Sequence, residues 1–226
     1  MGNILILDTE TTGGFECPLV YDCGGAVMDK TGFIYRRFHY VVLDIISNPA
    51  LMNTAYYVEK MPRYWQETAA GNIKVLPFAD ILRELTAMID TLGVDTLAAY
   101  NLPFDDRAMR STCEYLFENS GWLDRDVNKA CIWAGACDSI LHTKKFLKWA
   151  EKNGYISNKG NPLTSAEICF RYLTSNNGFT EEHTGGKDAE IEAHIMAAIL
   201  RRRAKVDFTP TASPWRKVAS LYKEIK

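Results

Sequence analysis

The sequence predicts an α/β fold. A short apolar run, Ile4-Leu5-Ile6-Leu7, stops at a cluster of polar residues. Two longer apolar, β-branched segments, Val20–Met28 and Phe33–Val42, flank the turn Asp29-Lys30-Thr31-Gly32, which is the pattern of a hairpin. From residue 78 onward, apolar residues at helical spacing alternate with short strand-like runs, the succession that builds a mixed sheet with helical layers.

Taken in order, Ile4–Leu7 is the first predicted strand and Val20–Met28 with Phe33–Val42 the next two. Residues 48–70 read as irregular to helical and carry Tyr56, Tyr57, Tyr64 and Trp65. Pro77 precedes a predicted helix over Phe78–Thr91, since proline suits the start of a helix. Thr96–Tyr100 is a predicted strand, Phe104–Glu118 a helix, and Cys137–Ile140 a short strand followed by a Lys-rich helix ending at Lys152. Tyr155–Pro162 is rich in Gly, Asn and Ser and reads as a loop. The helix over Leu163–Leu173 opens at Thr164-Ser165 with Glu167 behind, a capping arrangement. Asp188–Arg203 is a strong helix. The stretch from Phe208 to Pro214 reads as a linker, and Trp215–Lys226 as a terminal helix that packs on the domain or docks a partner. No internal repeat or low-complexity tract is present.

The most informative residues close the first strand. Asp8 and Glu10 stand two apart, so on a strand they share one face. Two carboxylates beside a buried strand repel each other and resist desolvation, and a divalent cation removes that cost. Two other segments supply matching parts. In Tyr100-Asn101-Leu102-Pro103-Phe104-Asp105-Asp106, a strand passes through a proline turn into a helix. An Asp there is, locally, an ordinary cap or dipole partner. In His183-Thr184-Gly185-Gly186-Lys187-Asp188, a His lies five residues before an Asp on a Gly-rich loop that leads into a helix.

Together these segments resemble the DnaQ-like, DEDDh-type family of 3′–5′ exonucleases. Asp8 and Glu10 match its first motif, Asp105 in the frame Asn101-x-x-Phe104-Asp105 its second, and His183 with Asp188 its third. The order along the chain fits, as do the gaps of roughly 80 to 95 residues between motifs. The resemblance runs from Asn3 to about Arg203, so residues 1–206 are taken as the exonuclease domain and 207–226 as linker and C-terminal helix. Two positions depart from the family pattern: Tyr100 stands where a His or Gly commonly precedes the Asn, and Thr-Gly-Gly-Lys replaces an apolar or Ala-rich stretch between His183 and Asp188. Neither removes a ligand. Both bear on how His183 is placed, and Gly185 and Gly186 suggest a flexible loop. Asp106 also carries a carboxylate, but on a helix it points about 100° away from Asp105; the family frame selects Asp105.

The resemblance implies a ribonuclease-H-like fold: a central mixed sheet of about five strands with helices on both faces. It also implies a mechanism. Two divalent cations, Mg²⁺ or Mn²⁺, about 3.5–4 Å apart clamp the scissile phosphate and activate water. Asp8, Glu10 and Asp188 hold the first, Asp8 shares in the second, and Asp105 completes its shell largely through water. His183 is the general base and not a ligand, an imidazole of pKa near 6.5 being suited to proton removal at neutrality. Thr9, Thr11, Asn101 and Phe104 are the implied substrate contacts. Phe15, Tyr56, Tyr57 and Trp65 are candidates for stacking on unpaired bases.

Composition sets outer limits. The chain has 226 residues, 47% hydrophobic and 24% charged, as ordinary globular domains do. Its net charge of −2 excludes a broadly basic nucleic-acid coat. It leaves local clusters: Arg36-Arg37; Lys144, Lys145 and Lys148; and Arg201-Arg202-Arg203 with Lys205. No secretory signal and no run of about 18 apolar residues is seen, so a cytoplasmic location is expected, host-cell cytoplasm if the chain is virus-encoded. The self-contained layout looks like stand-alone virus- or phage-encoded members. Six scattered cysteines without a Cys-x-x-Cys pair are expected as free thiols.

Three functions stay open on these residues. The first is a DNA exonuclease acting on single-stranded or frayed 3′ ends to release nucleoside 5′-monophosphates. The second is an RNA 3′-trimming enzyme on the same scaffold. The third is a non-catalytic module that binds nucleic acid or a polymerase, against which the intact His183 argues. A proofreading role would need a polymerase or another replication or repair partner.

Overall fold

A computed structural model describes residues 2–55, 59, 61–123, 125–202 and 205–226. Tyr56, Tyr57 and Arg203 lie outside the described residues. Among the described residues six strands form one mixed sheet in the order β4-β3-β2-β1-β5-β6. They are β1 (Asn3–Thr12), β2 (Leu19–Met28), β3 (Ile34–Val42), β4 (Lys74–Leu76), β5 (Val94–Ala99) and β6 (Asn128–Cys131). β1–β2 and β2–β3 pair antiparallel; β3–β4, β1–β5 and β5–β6 pair parallel.

Among the described residues the helices are α1 (Leu43–Ile46), α2 (Pro49–Met52), α3 (Met61–Ala69), α4 (Phe78–Thr91), α5 (Leu102–Phe117), α6 (Ile132–Ser139), α7 (Lys144–Lys152), α8 (Ala166–Thr174), α9 (Gly185–Leu200) and α10 (Trp215–Glu224). They cover both faces, and the alternation of β1 shows how. Leu5 and Leu7 enter one core with residues of α1, α4 and α5. Ile4 and Ile6 enter the other with residues of α6 to α10. β2 is buried along its whole length, so apart from Asp22 it carries no charged residue and shows no alternation.

Two expectations need correction. The sheet has six strands rather than five, because β4 and β6 are edge strands of three and four residues, too short to show a period. Cys137–Ile140 is not a strand: Ile132–Ser139 is helical, and Ile132, Ala134, Gly135, Ala136 and Cys137 are all buried. The six residues from Ile132 to Cys137 carry no polar side chain, and Asp138 and Ser139 come only at the helix end, so the run is too short to tell helix from strand by period.

The segment after α9 does not hang free. Cys131 N–H donates to the Phe208 carbonyl at 2.8 Å. The Phe208 ring lies over Gly135, where a Cβ would meet it at 2.6 Å. α10 then buries Val218, Ala219 and Tyr222 against α6 and α7. All six cysteines are free thiols, Cys17 exposed and the others buried. Among the described residues no helix is long and apolar enough to cross a membrane.

Candidate active site

β1 outruns its neighbour. β5 pairs with β1 only from Asn3 to Ile6, so Leu7 to Thr12 project beyond it. Asp8 and Glu10 sit on this projecting end and face α9; Thr9 faces the opposite side, toward α5. The Thr9 N–H donates to Asp105 Oδ1 at 3.1 Å, and the Thr9 hydroxyl to the same oxygen at 2.8 Å. Asp105 is thereby fixed at the carboxyl end of the sheet, where open α/β folds form their sites. It lies in the first turn of α5 and is only 5% exposed.

Asp106, one residue on, turns outward. It accepts from Arg110 Nε at 3.1 Å, Lys129 Nζ at 2.8 Å and Trp122 Nε1 at 3.0 Å. The two neighbours differ accordingly in proton affinity. Burial pushes Asp105 up to about 7 despite the Thr9 hydrogen bonds. At Asp106 partial burial is outweighed by the bonds from Lys129, Trp122 and Arg110, and its carboxyl is held below the usual range.

α9 brings the remaining parts. Asp188 lies in its first turn and is buried. One ligand atom each from Glu10, His183 and Asp188 falls within 4.8 Å of the others, a spacing that a single cation can span. His183 Nδ1 is 3.8 Å from Asp188 Oδ2 and 3.9 Å from a Glu181 oxygen. The His183 backbone is left-handed, with φ +49°, a conformation that costs free energy outside glycine and recurs at functional sites.

A further carboxylate was not anticipated. Glu192 follows Asp188 by one helical turn, is 4% exposed, and accepts the Tyr100 N–H at 2.9 Å. Its signal was present in the sequence as the spacing of four from Asp188, but it reads there as one more acid on a helix. Asp8 is raised well above the usual carboxylate range by burial, and then by Glu192, Asp105, Asp188 and Glu10. Glu192 is raised likewise by burial and by Asp105. Burial and Asp188 push Glu181 up to about 8. Carboxylates crowded in this way, with an imidazole beside them, suit a hard divalent cation.

The glycines of the third segment lie in a helix rather than in a loop. Gly185 and Gly186 belong to α9, and Gly185 is buried. A Cβ on Gly24 of β2 would stand 1.9 Å from the Gly185 carbonyl carbon, and one on Gly185 would stand 2.6 Å from the Gly24 nitrogen. Their absence of side chains lets the helix start rest on the backbone of β2 beside Asp8.

Next to the acids is a cavity of about 300 Å³ lined by Thr9, Glu10, Thr11, Gly14, Phe15, Thr54 and Phe104. Three of the four expected substrate contacts therefore border it. Asn101 does not; it is exposed at the N-terminus of α5. The Thr9 hydroxyl is already engaged by Asp105. Phe15 is 78% exposed at the rim. Trp65 is exposed on α3 and does not line the cavity.

No protein-family model matches the chain, and no curated protein matches it by sequence. Its fold is that of solved exonuclease I structures. The exonuclease I of Methylocaldum szegediense superposes with a TM-score of 0.59 at 16% identity, over 90% of this chain and 41% of that one. A product-bound exonuclease I gives 0.54 at 17% identity, over 88% and 43%. The E. coli enzyme in complex with a dA16 oligonucleotide gives 0.51 at 18% identity, over 88% and 40%. The chain thus spans about two fifths of the length of these proteins.

Proposed function

We propose that the protein is a metal-dependent 3′–5′ exonuclease of the DnaQ-like type, acting on single-stranded or frayed DNA ends and releasing nucleoside 5′-monophosphates. The observation that carries this reading is the convergence of Asp8, Glu10, Asp105, Asp188 and His183 at one end of the sheet, beside a cavity of about 300 Å³. The shared fold with exonuclease I, one example of which is in complex with dA16, favours DNA over RNA.

In this reading Asp8, Glu10, Asp105 and Asp188 would hold two divalent cations, Mg²⁺ or Mn²⁺. When bound, these would neutralise charge on the phosphate and make the attacking water more acidic. Every other role falls to the chain. The rim aromatics Phe15 and Phe104 stack on the terminal bases, and Thr11 meets the last nucleotide through its backbone. Thr9 keeps Asp105 turned inward. His183, with Nδ1 3.8 Å from Asp188 and 3.9 Å from Glu181, takes the proton of the water. Glu192 ties α9 to the end of β5 through Tyr100 and so sets the spacing between Asp188 and Asp105. In a proofreading role the chain would work with a polymerase or another replication or repair protein.

The test is incubation with end-labelled single-stranded DNA, duplex DNA and RNA, with Mg²⁺ or Mn²⁺ and with EDTA. The expected result is stepwise shortening of single-stranded DNA from its 3′ end, with mononucleotide products, abolished by EDTA. Faster shortening of RNA would reassign the substrate, and no shortening of any of the three would reject the activity.

A further inference from the structure

α9 begins without a cap of its own. Thr184 occupies the N-cap position, yet its side chain makes no capping bond. The missing acceptor comes from another strand. Asp22 of β2, fully buried, accepts the Gly185 N–H on Oδ2 at 3.0 Å. The same carboxylate is held by two side chains: His39 Nε2 from β3 lies 2.7 Å from Oδ1, and the Tyr64 hydroxyl from α3 donates to Oδ2. Asp22 pairs with Glu10 across β1 and β2, so it stands next to the acids without being one of them. His39 also lies against the helix start: a Cβ on Gly186 would meet its ring at 2.7 Å.

We propose that Asp22, His39 and Tyr64 form a positioning clamp that holds the first turn of α9, and with it Asp188 and the His183 loop, at the distance from Glu10 that the site requires. The inference rests on the nuclease reading for its kinetic test only. A helix N-terminus carries unsatisfied N–H groups and partial positive charge, and a carboxylate fixed from outside anchors it in direction as well as energy. His39 and Tyr64 fix the carboxylate in turn. Two residues before Gly185, His183 sits in a left-handed conformation that only a firmly held neighbour would maintain.

The experiment compares wild type with Asp22→Asn, His39→Ala, His39→Gln and Tyr64→Phe by steady-state kinetics on single-stranded DNA and by hydrogen exchange. Glutamine can present an N–H near the position of His39 Nε2; alanine cannot. In His39→Ala, kcat is expected to fall by about 10²-fold, the scale of a small misplacement of reacting groups, with KM changed less than about threefold. His39→Gln should recover most of the loss. In Asp22→Asn, the amides of residues 185–188 should exchange at least about tenfold faster while those of β1 and β2 stay protected. Should Asp22→Asn not fold, Tyr64→Phe carries the same exchange readout with a smaller increase. Unchanged exchange at 185–188, loosening spread evenly over the sheet, or a glutamine variant no better than alanine would overturn the clamp. A wild type without nuclease activity would reject the proposed function, while the exchange pattern would still decide the clamp.

Discussion

At the scale of single residues, Asp105 and Asp106 show how one position on a helix separates an inward acid from a surface one. Asp105 is buried on Thr9, and Asp106 is paired with Arg110 and Lys129. Asp105→Asn is expected to lower single-turnover activity by at least about 10²-fold. Asp106→Asn should keep most of it, since Asp106 turns away from the acids and its partners Arg110, Lys129 and Trp122 lie outside the site. The reverse ranking would move the functional acid by one residue. His183 poses a second question, because the structure places it among the groups that can span a cation as well as beside Asp188. His183→Ala is expected to lower kcat by about 10²–10⁴-fold, the usual range for a positioned base. The Mn²⁺ concentration giving half-maximal activity should stay within about twofold, because the acids Glu10, Asp188 and Asp8 carry the binding in the proposed mechanism. A rise of about tenfold or more in that concentration, with kcat restored at high Mn²⁺, would make His183 a ligand instead of a base.

At the scale of elements, long periodic segments were legible in the sequence and short or uniform ones were not. α4 spans the residues read from its apolar spacing, and the β2–β3 hairpin forms around its predicted turn. β4 and β6 escaped notice because three or four residues at a sheet edge carry no period, and α6 because its eight residues are apolar up to Cys137 and polar only at the end, Asp138 and Ser139. In the third segment the structure puts His183 beside Asp188, while the glycines read as a loop begin a helix. Gly in a loop suggests freedom; here Gly185 serves close approach of a helix to a strand, a tertiary fact with no local signature. Asp22 and Glu192 were missed for a related reason, since their partners Gly185 and Tyr100 are 163 and 92 residues away. The glycine contact makes a sharp prediction. Gly24→Ala would place its methyl within 2.0 Å of Gly186 N, so α9 must lift away from β2. Nuclease activity should fall by about 10²-fold or more while the circular dichroism spectrum stays that of a folded α/β protein. Full activity in a folded Gly24→Ala protein would show that the spacing of α9 from β2 does not matter to the site.

At the scale of the whole molecule, the fold gathers acids 180 residues apart, from Asp8 to Asp188, and keeps them together against their repulsion. That arrangement costs stability whenever the acids are ionised without a cation. The sign follows from linkage: a carboxyl whose proton affinity is raised by folding favours the folded state at low pH, and that favour is lost as pH rises through its folded value. The loss from Asp105 runs through about pH 7 and that from Glu181 through about pH 8, while Asp8 and Glu192, raised well above the usual range, extend it further. Burial holds His194 below its ordinary value, so it titrates below this range. In EDTA the protein should therefore melt at a lower temperature at pH 8.5 than at pH 6.5. A divalent cation that binds only the folded state reverses this, by about 2.7 kcal/mol when present at a hundred times its dissociation constant. For a chain of this length that is roughly 5–10 °C in Tm. The gain should be larger at pH 8.5 than at pH 6.5, because protons compete for the same oxygens, and it should shrink in Asp8→Ala, which removes both a ligand and a source of repulsion. Calorimetry of wild type and Asp8→Ala at both pH values, with EDTA and with Mn²⁺, measures all three effects. A wild-type Tm that is indifferent to Mn²⁺ at pH 8.5, or higher there in EDTA than at pH 6.5, would show that the carboxylate cluster is not a cation site.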